Sequence, residues 1–189
     1  SHMNHRLNMD KIRQAIPLID PSFLNTPQFI SKGLSDHFDC QLTVKIETLN
    51  PIRSFKGRGA EMFISQAAPD EPIVCASAGN FGQAMAYACQ KKKIPLTVFA
   101  SKNANTYKIE MMRSFGATVI LMGEDFDEAK IIAKAHAKKL QLRFVEDSQD
   151  IETLAGAGTI GLELLNLPYS LDALLISLGN GALFGGIGR

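Results

Sequence analysis

Three features of the sequence predict an α/β fold built on a mainly parallel sheet. Short apolar segments recur from about residue 42 onward, longer segments with helical character separate them, and turn residues mark most of the junctions. Leu42–Glu47 alternates with period 2 and predicts a strand, and Gly59–Ala67 predicts a helix. Ile73–Ala76 predicts a short buried strand, with Pro72 before it and Ser77-Ala78-Gly79-Asn80 after it. Gln83–Lys93 predicts a helix whose final lysines, Lys91, Lys92 and Lys93, suit the negative end of the helix dipole. Leu96–Phe99 predicts the next strand. Tyr107–Phe115 predicts a helix stopped by Gly116, a C-cap residue. Thr118–Leu121 predicts a strand and Phe126–Leu140 a long helix, with Ile131, Ala135 and Leu142 facing inward while Lys130, Lys134 and Lys138 reach outward. Arg143–Val145, Gly158–Leu167 and Ala173–Ser177 then predict a strand, a helix and a last apolar strand. The first forty residues, with Pro17, Pro21 and Pro27, predict an arm or loops.

Composition narrows the function. The chain has 189 residues, 46% hydrophobic and 21% charged, which excludes a disordered or fibrous protein. Twenty Lys and Arg against nineteen Asp and Glu leave a net charge of +1 and give no bulk reason to bind nucleic acid or an anionic membrane. Cys40, Cys75 and Cys89 are an odd count with no C-x-x-C pair, which argues for a reducing compartment. Ser1-His2-Met3 reads as a tag remnant, and no signal-peptide pattern follows it. The longest uncharged run, Ala173 to Gly188, falls short of the ~20 residues of a spanning helix. The expectation is a cytoplasmic protein with a small-molecule partner. Metal chemistry lacks support, because His37 and His136 stand alone.

Four segments carry chemistry. In Asn50-Pro51-Ile52-Arg53-Ser54-Phe55-Lys56-Gly57-Arg58-Gly59-Ala60, one lysine sits between a turn and a helix start. A lysine can condense with an aldehyde as its neutral amine, a form that nearby cations such as Arg53 and Arg58 favour. The plain alternative is a solvated basic turn. Ser77-Ala78-Gly79-Asn80-Phe81-Gly82-Gln83 follows a buried strand and opens a helix, where backbone N–H groups can meet a carboxylate or phosphate. The plain alternative is an N-cap turn. Gly179, Gly181 and Gly185 after the last strand form a loose relative of a dinucleotide fingerprint. Gly156-Ala157-Gly158-Thr159-Ile160-Gly161 is a literal G-x-G-x-x-G, but no convincing strand precedes it and no acidic residue follows at the ribose spacing. Glycines that let a helix pack closely explain it better. The glycine loop runs on to Arg189 where a helix should begin, so the last unit reads as unfinished and the chain as a fragment.

Together these segments resemble the fold-type-II pyridoxal-phosphate enzymes of the tryptophan synthase β-like superfamily, in particular threonine/serine dehydratases. Ser54-Phe55-Lys56-x-Arg58-Gly59-Ala60 is similar to the family's lysine segment, and Ser77-Ala78-Gly79-Asn80 to its Ser-x-Gly-Asn loop. Lys108-Ile109 through Phe115-Gly116-Ala117-Thr118-Val119, Ala155-Gly156-Ala157-Gly158-Thr159 and Gly179-Asn180-Gly181-Ala182-Leu183 resemble three further family segments in the same order. The resemblance implies a three-layer αβα fold lacking its C-terminal part. It divides the chain into residues 1–60 of a large domain, 61–155 as a small α/β domain, and 156–189 returning to the large one. It implies pyridoxal 5′-phosphate as cofactor, a small amino-acid substrate and a homodimer. Lys56 would form the Schiff base and later move the α-proton, Phe55 would pack beside the ring, and Asn80 would bond the ring hydroxyl. Ser77 and the backbone of Ala78, Gly79 and Phe81 would hold the substrate carboxylate, and Gly179, Asn180, Gly181, Ala182 and Leu183 would cradle the phosphate. Asn180 and Ala182 interrupt a run that is often four glycines, and Phe81 stands where dehydratases often have His.

The activity implied is α,β-elimination, a deamination, of a hydroxy amino acid such as threonine or serine. The alternatives are β-replacement or racemisation on the same scaffold, a truncated non-catalytic paralogue, or a nucleotide-binding α/β module using the Gly179 loop.

Overall fold

The computed structural model describes residues 7–147, 149–177 and 182–188. The first forty residues are more ordered than an arm. Asn8 caps helix α1 (Met9–Ala15), its side chain accepting the Lys11 N–H. Short 3₁₀ turns use Pro17 and Pro21 at their first positions, where a missing N–H costs nothing. Strand β1 (Gln28–Ile30) and helix α2 (Lys32–Phe38) follow. Two of the three prolines that suggested loops, Pro17 and Pro21, therefore lie at the start of helical turns, Pro27 leads into β1, and the alternation in the 28–30 segment was too short to see in sequence.

The predicted strand at 42–47 is the shorter β2 (Thr43–Lys45), and it pairs antiparallel with β1, outside the main sheet. Helix α3 (Lys56–Ser65) begins at the candidate lysine, three residues before the predicted start. Strand β3 (Ile73–Ala76) lies where expected, and α4 (Asn80–Lys92) starts three residues early, because Ser77 rather than a helix residue supplies its cap. Strand β4 (Leu96–Ala100), helix α5 (Thr106–Ser114), strand β5 (Thr118–Leu121), helix α6 (Phe126–Leu140) and strand β6 (Arg143–Val145) follow the predicted order. Gly116 takes φ +88° after α5, the left-handed turn that a glycine makes without strain. Asp125 caps α6 by accepting the Glu128 N–H, while Glu128 returns a carboxylate to the Glu124 N–H.

The four strands β5-β4-β3-β6 form a parallel sheet. Both faces are covered, as a parallel sheet requires. Ile73, Cys75, Leu96, Val98 and Ala100 join the large core under α3, α4 and α5. Val74, Ala76 and Phe99 point the other way, to Ala133 and Ala137 of α6. That alternation makes three layers.

Helix α6 is turned relative to the sequence reading. Ala129, Ala133 and Ala137, spaced four apart, form its buried edge, while Ile131 is 68% exposed and Ala135 is exposed. Small side chains let the helix sit close on the Val74 and Phe99 face of the sheet, and Ile131 cannot share their direction. Leu142, beyond the helix, does pack against that cluster.

Helix α7 (Ile151–Leu165) starts seven residues before the predicted one and contains the whole G-x-G-x-x-G stretch. A Cβ on Gly156 would stand 2.4 Å from the Arg58 carbonyl oxygen of α3, and one on Gly158 would stand 2.9 Å from the Gly186 carbonyl oxygen of α8 (Ala182–Ile187). These glycines serve close helix packing, as the missing strand suggested. The segment 173–177 is not a strand, which corrects the sequence reading. No neighbouring strand pairs with it among the described residues, and Leu175 is 88% exposed. Apolar composition alone cannot make a strand without a partner to bond. No helix among the described residues is long and apolar enough to cross a membrane.

Candidate active site

The turn before Lys56 is held by one side chain. Asn50 Oδ1 accepts the Ile52 and Ser54 N–H groups at 3.1 and 3.3 Å, and its Nδ2 donates to the Glu47 and Ser54 carbonyls at 3.1 and 3.0 Å. Ser54 Oγ then accepts the Lys56 N–H at 3.2 Å, which starts α3. The Lys56 ammonium pairs with the Asp147 carboxylate, the two side chains 14% and 11% exposed. It also lies 5.1 Å from the Phe55 ring centre. Phe55, Gly59, Ala60, Phe81, Asp147, Thr153 and Ala157 surround it in a narrow cleft of about 10 Å³. The solvated basic turn is thus not what forms: the lysine is turned inward.

Arg58, two residues on, is not the neighbouring free cation that the spacing suggested. It is fully buried, and its guanidinium donates to Glu47 Oε1 at 2.9 Å, to Glu163 Oε2 and Oε1 at 2.5 and 3.0 Å, and to Thr159 Oγ1 at 3.0 Å. Lys45 adds a contact to Glu163 Oε1 at 2.8 Å. Burial raises the Glu163 carboxyl, but hydrogen bonds from Arg58 and Lys45 outweigh it and hold the group at about 2. Arg53 faces a different cleft, with Asn80, Gln83, Tyr107 and Lys108.

Beyond β3 the chain turns at Ser77. Ser77 is 3% exposed, and its Oγ accepts the Gly79 and Gly82 N–H groups at 3.0 and 2.8 Å. The capping reading of this loop therefore holds for the Ser77 side chain. The N–H groups that open α4 remain outside its internal ladder by helix geometry. Phe81 lies in the Lys56 cleft, Ala78 is exposed, and Asn80 lies in the Arg53 cleft. The structure thus brings Lys56, Phe55 and Phe81 together and sets Asn80 on the other side of the turn. Gly179, Asn180 and Gly181 of the predicted phosphate loop lie outside the described residues. Ala182 and Leu183 fall in the first turn of α8, with Leu183 half-buried.

Asp147 is the residue that sequence reasoning missed. A signal was present: it follows the end of β6, and ligands of parallel sheets gather beyond the carboxyl ends of the strands. Gln83 and Lys108 stood within segments that the sequence singled out, but their meeting with Tyr107 in one cleft was missed because they come from two helices that the sequence does not show to be neighbours.

The chemistry of the donor set suits pyridoxal phosphate: a primary amine, turned inward beside aromatic rings, is what an aldehyde cofactor needs. Comparison with known proteins agrees. Residues 19–189 match the family model described as pyridoxal-phosphate dependent enzyme. The biosynthetic L-threonine dehydratase of Halalkalibacterium halodurans is 34% identical over 172 residues, covering 87% of this chain and 41% of that protein. The corresponding dehydratase of Lactococcus lactis is 31% identical, covering 96% and 46%. The chain thus spans less than half the length of these relatives. Among solved structures, a pyridoxal 5′-phosphate-dependent aspartate racemase superposes with a TM-score of 0.89 at 30% identity, covering 96% of this chain and 58% of its own. Threonine deaminase isoform 2 of Solanum lycopersicum gives 0.82 at 28%, covering 96% and 55%. On the extent of the family match and the identity to these relatives, the chain belongs to the pyridoxal-phosphate dependent enzymes, of fold type II, and its cofactor is pyridoxal 5′-phosphate.

Proposed function

We propose that this chain is part of a lyase that removes water and then ammonia from a hydroxy amino acid, such as L-threonine or L-serine, by α,β-elimination, with Lys56 as its catalytic residue. The observation that carries the reading is the Lys56 amine, turned into a cleft between α3, α4 and α7 and paired with Asp147. The threonine dehydratase relatives support the reaction class. Racemisation is the second reading, favoured by the fold similarity to the aspartate racemase.

Bound pyridoxal phosphate supplies an aldehyde for the amine and a ring that takes up the electron pair left when the α-carbon loses its proton. The rest falls to the chain. Lys56 carries the proton to and from the α-carbon, and an amine in a cleft shielded by Phe55 and Phe81 does so away from bulk water. Asp147 anchors the amine when the cofactor is not attached. Attachment of the cofactor at the Lys56 amine would replace its pairing with Asp147. The backbone N–H groups of Ala78 and Phe81 orient the substrate carboxylate at the positive end of α4, and that of Gly79 joins them by giving up its bond to Ser77 Oγ. Ser77 contributes by shaping that turn, and its own O–H is left to donate. Asn80, the first residue of α4, would bond the ring hydroxyl. Gly179, Asn180, Gly181, Ala182 and Leu183 cradle the phosphate. We divide the chain at 60 and 155 as the resemblance implies; in support, all four strands of the parallel sheet fall within residues 73–145.

The test is borohydride reduction of the full-length protein with pyridoxal phosphate, followed by peptide mapping. The expected result is a stable adduct on Lys56 that Lys56→Ala abolishes. No adduct, or adducts spread over surface lysines, would overturn the assignment.

A further inference from the structure

The second cleft has no assigned role. It holds about 220 Å³, room for a small polar group, and its walls include Pro51, Ile52 and Met111. Two cations enter it. Arg53 extends from the turn that Asn50 holds, in a left-handed backbone at φ +55° that non-glycine residues seldom adopt, and its guanidinium lies 5.8 Å from the Tyr107 ring centre. Such backbone strain concentrates at functional positions. Lys108 lies directly against the Ser77–Asn80 turn: a Cβ on Gly79 would stand 2.3 Å from Lys108 Cδ and 3.2 Å from its Nζ.

Neither cation forms an ion pair among the described residues, and no carboxylate lines the cleft. A separate observation points the same way. Gln83 is 3% exposed, and its side-chain amide makes no hydrogen bond among the described residues. Nor is it one of the sealed side-chain atoms that lack a hydrogen-bond partner among the described residues, where the single such atom, Glu61 Oε1, is met by the Lys91 ammonium at 2.6 Å. Its amide therefore opens on the cleft it lines. A buried amide facing two unpaired cations across a small space lacks a planar anion.

We propose that this cleft receives the side-chain carboxylate of the amino-acid ligand, so that the site selects an amino acid with a second carboxylate. The inference rests on the reading of Lys56 given above and narrows its substrate from threonine or serine to a hydroxy amino acid that bears a second carboxylate. Adjacency supports it. Asn80 and Phe81 are consecutive residues that line the two clefts. Arg53 precedes Lys56 by three residues, at most about 10 Å of chain. A ligand whose amino end faces Lys56 can thus extend past the turn toward Arg53 and Lys108. The guanidinium fork suits a carboxylate's two oxygens.

Calorimetry on the full-length, cofactor-loaded protein tests it. Succinate is the dicarboxylate probe, having no amine to react, and butyrate is the monocarboxylate. Succinate should bind at least tenfold more tightly than butyrate. Arg53→Met and Lys108→Met should each weaken succinate about tenfold and leave butyrate unchanged, while Lys139→Met, on the exposed end of α6, should change neither. Equal binding of the two acids would overturn the proposal. So would equal weakening of both by Lys108→Met, which would assign that cation to the α-carboxylate, or inorganic phosphate binding more tightly than succinate. The two readings fail separately. A Lys56 adduct without succinate selectivity removes this inference alone. Selectivity that depends on Arg53 and Lys108, without an adduct, keeps the carboxylate cleft and removes the role of Lys56.

Discussion

Lys56 and Arg58 stand two residues apart on α3, each facing carboxylates, and the difference between their surroundings separates scaffold from chemistry. Arg58 has no exposed surface, and its donors are taken up by Glu47, Glu163, Thr26 and Thr159, which come from the β1–β2 region and α7. Its partners extend further: Lys45 of β2 also reaches Glu163 and Gln28. This network ties the antiparallel ribbon to α3 and α7. Lys56 points to the other side of the helix, into a cleft, and its ammonium meets Asp147 at the end of β6. Burial opposes the Arg58 charge, yet Glu163 and Glu47 outweigh it and raise its hold on the proton. A cation so enclosed cannot leave its partners. Lys56 lies along a cleft rather than inside the packed core, and covalent chemistry needs its amine to exchange Asp147 for a new partner.

The contrast can be broken at its strongest point first. Arg58→Ala leaves Glu47 and Glu163 facing each other in the interior, and unfolding in denaturant should show a loss of about 3–5 kcal/mol. A loss below about 1 kcal/mol would mean that the network is not structural. Acid attacks the same network from the other partner. Glu163 sits at about 2, below its ordinary 4.5, so its contribution is complete above pH 4.5 and disappears as pH falls toward 2. That contribution is on the order of 3 kcal/mol, since each tenfold change in proton affinity is worth about 1.4 kcal/mol. Unfolding free energies at pH 7 and pH 3 should show much of it, and the same drop in pH should cost less in Arg58→Ala. The smallest effect is expected on the other side of the helix. Lys56→Met should cost about 1–3 kcal/mol by the same denaturant measurement, because one carboxylate, Asp147, loses that cation where Arg58→Ala strips two. A cost as large as that of Arg58→Ala would make Lys56 another structural cation.

Much of the fold was legible in the residues, for identifiable reasons. The strands at 73–76, 118–121 and 143–145 and the helix at 126–140 match the sequence reading, because strong apolar periodicity meets clear stops such as Pro72, Gly116 and the Asp125 cap. The reading failed where neighbours decide. The 173–177 segment has strand composition and no strand partner among the described residues. β1 exists because β2 lies beside it. α6 turns Ala133 and Ala137, with Ile132 beside them, toward the sheet and leaves Ile131 outside, because packing and not composition sets the rotation of the helix. In the candidate site, the lysine, its aromatic neighbours and the Ser77 turn could be named from local pattern. Asp147 could not, nor could the meeting of Gln83 and Lys108 in one cleft, since these contacts join elements far apart in sequence.

By itself, the sequence determined the alternation of strands and helices, which rests on apolar period and turn residues, while the family and with it the cofactor came from the resemblance of five ordered segments to known enzymes. Only the tertiary structure decided which charges are scaffold and which face a cleft. The sequence marks Lys56, Arg58, Arg53 and Lys108 alike as cations. Packing buries one among carboxylates, pairs one across a cleft and leaves two without an ion-pair partner among the described residues. A charge takes its energy from the dielectric and the partners around it, and these are set by residues far apart in the chain.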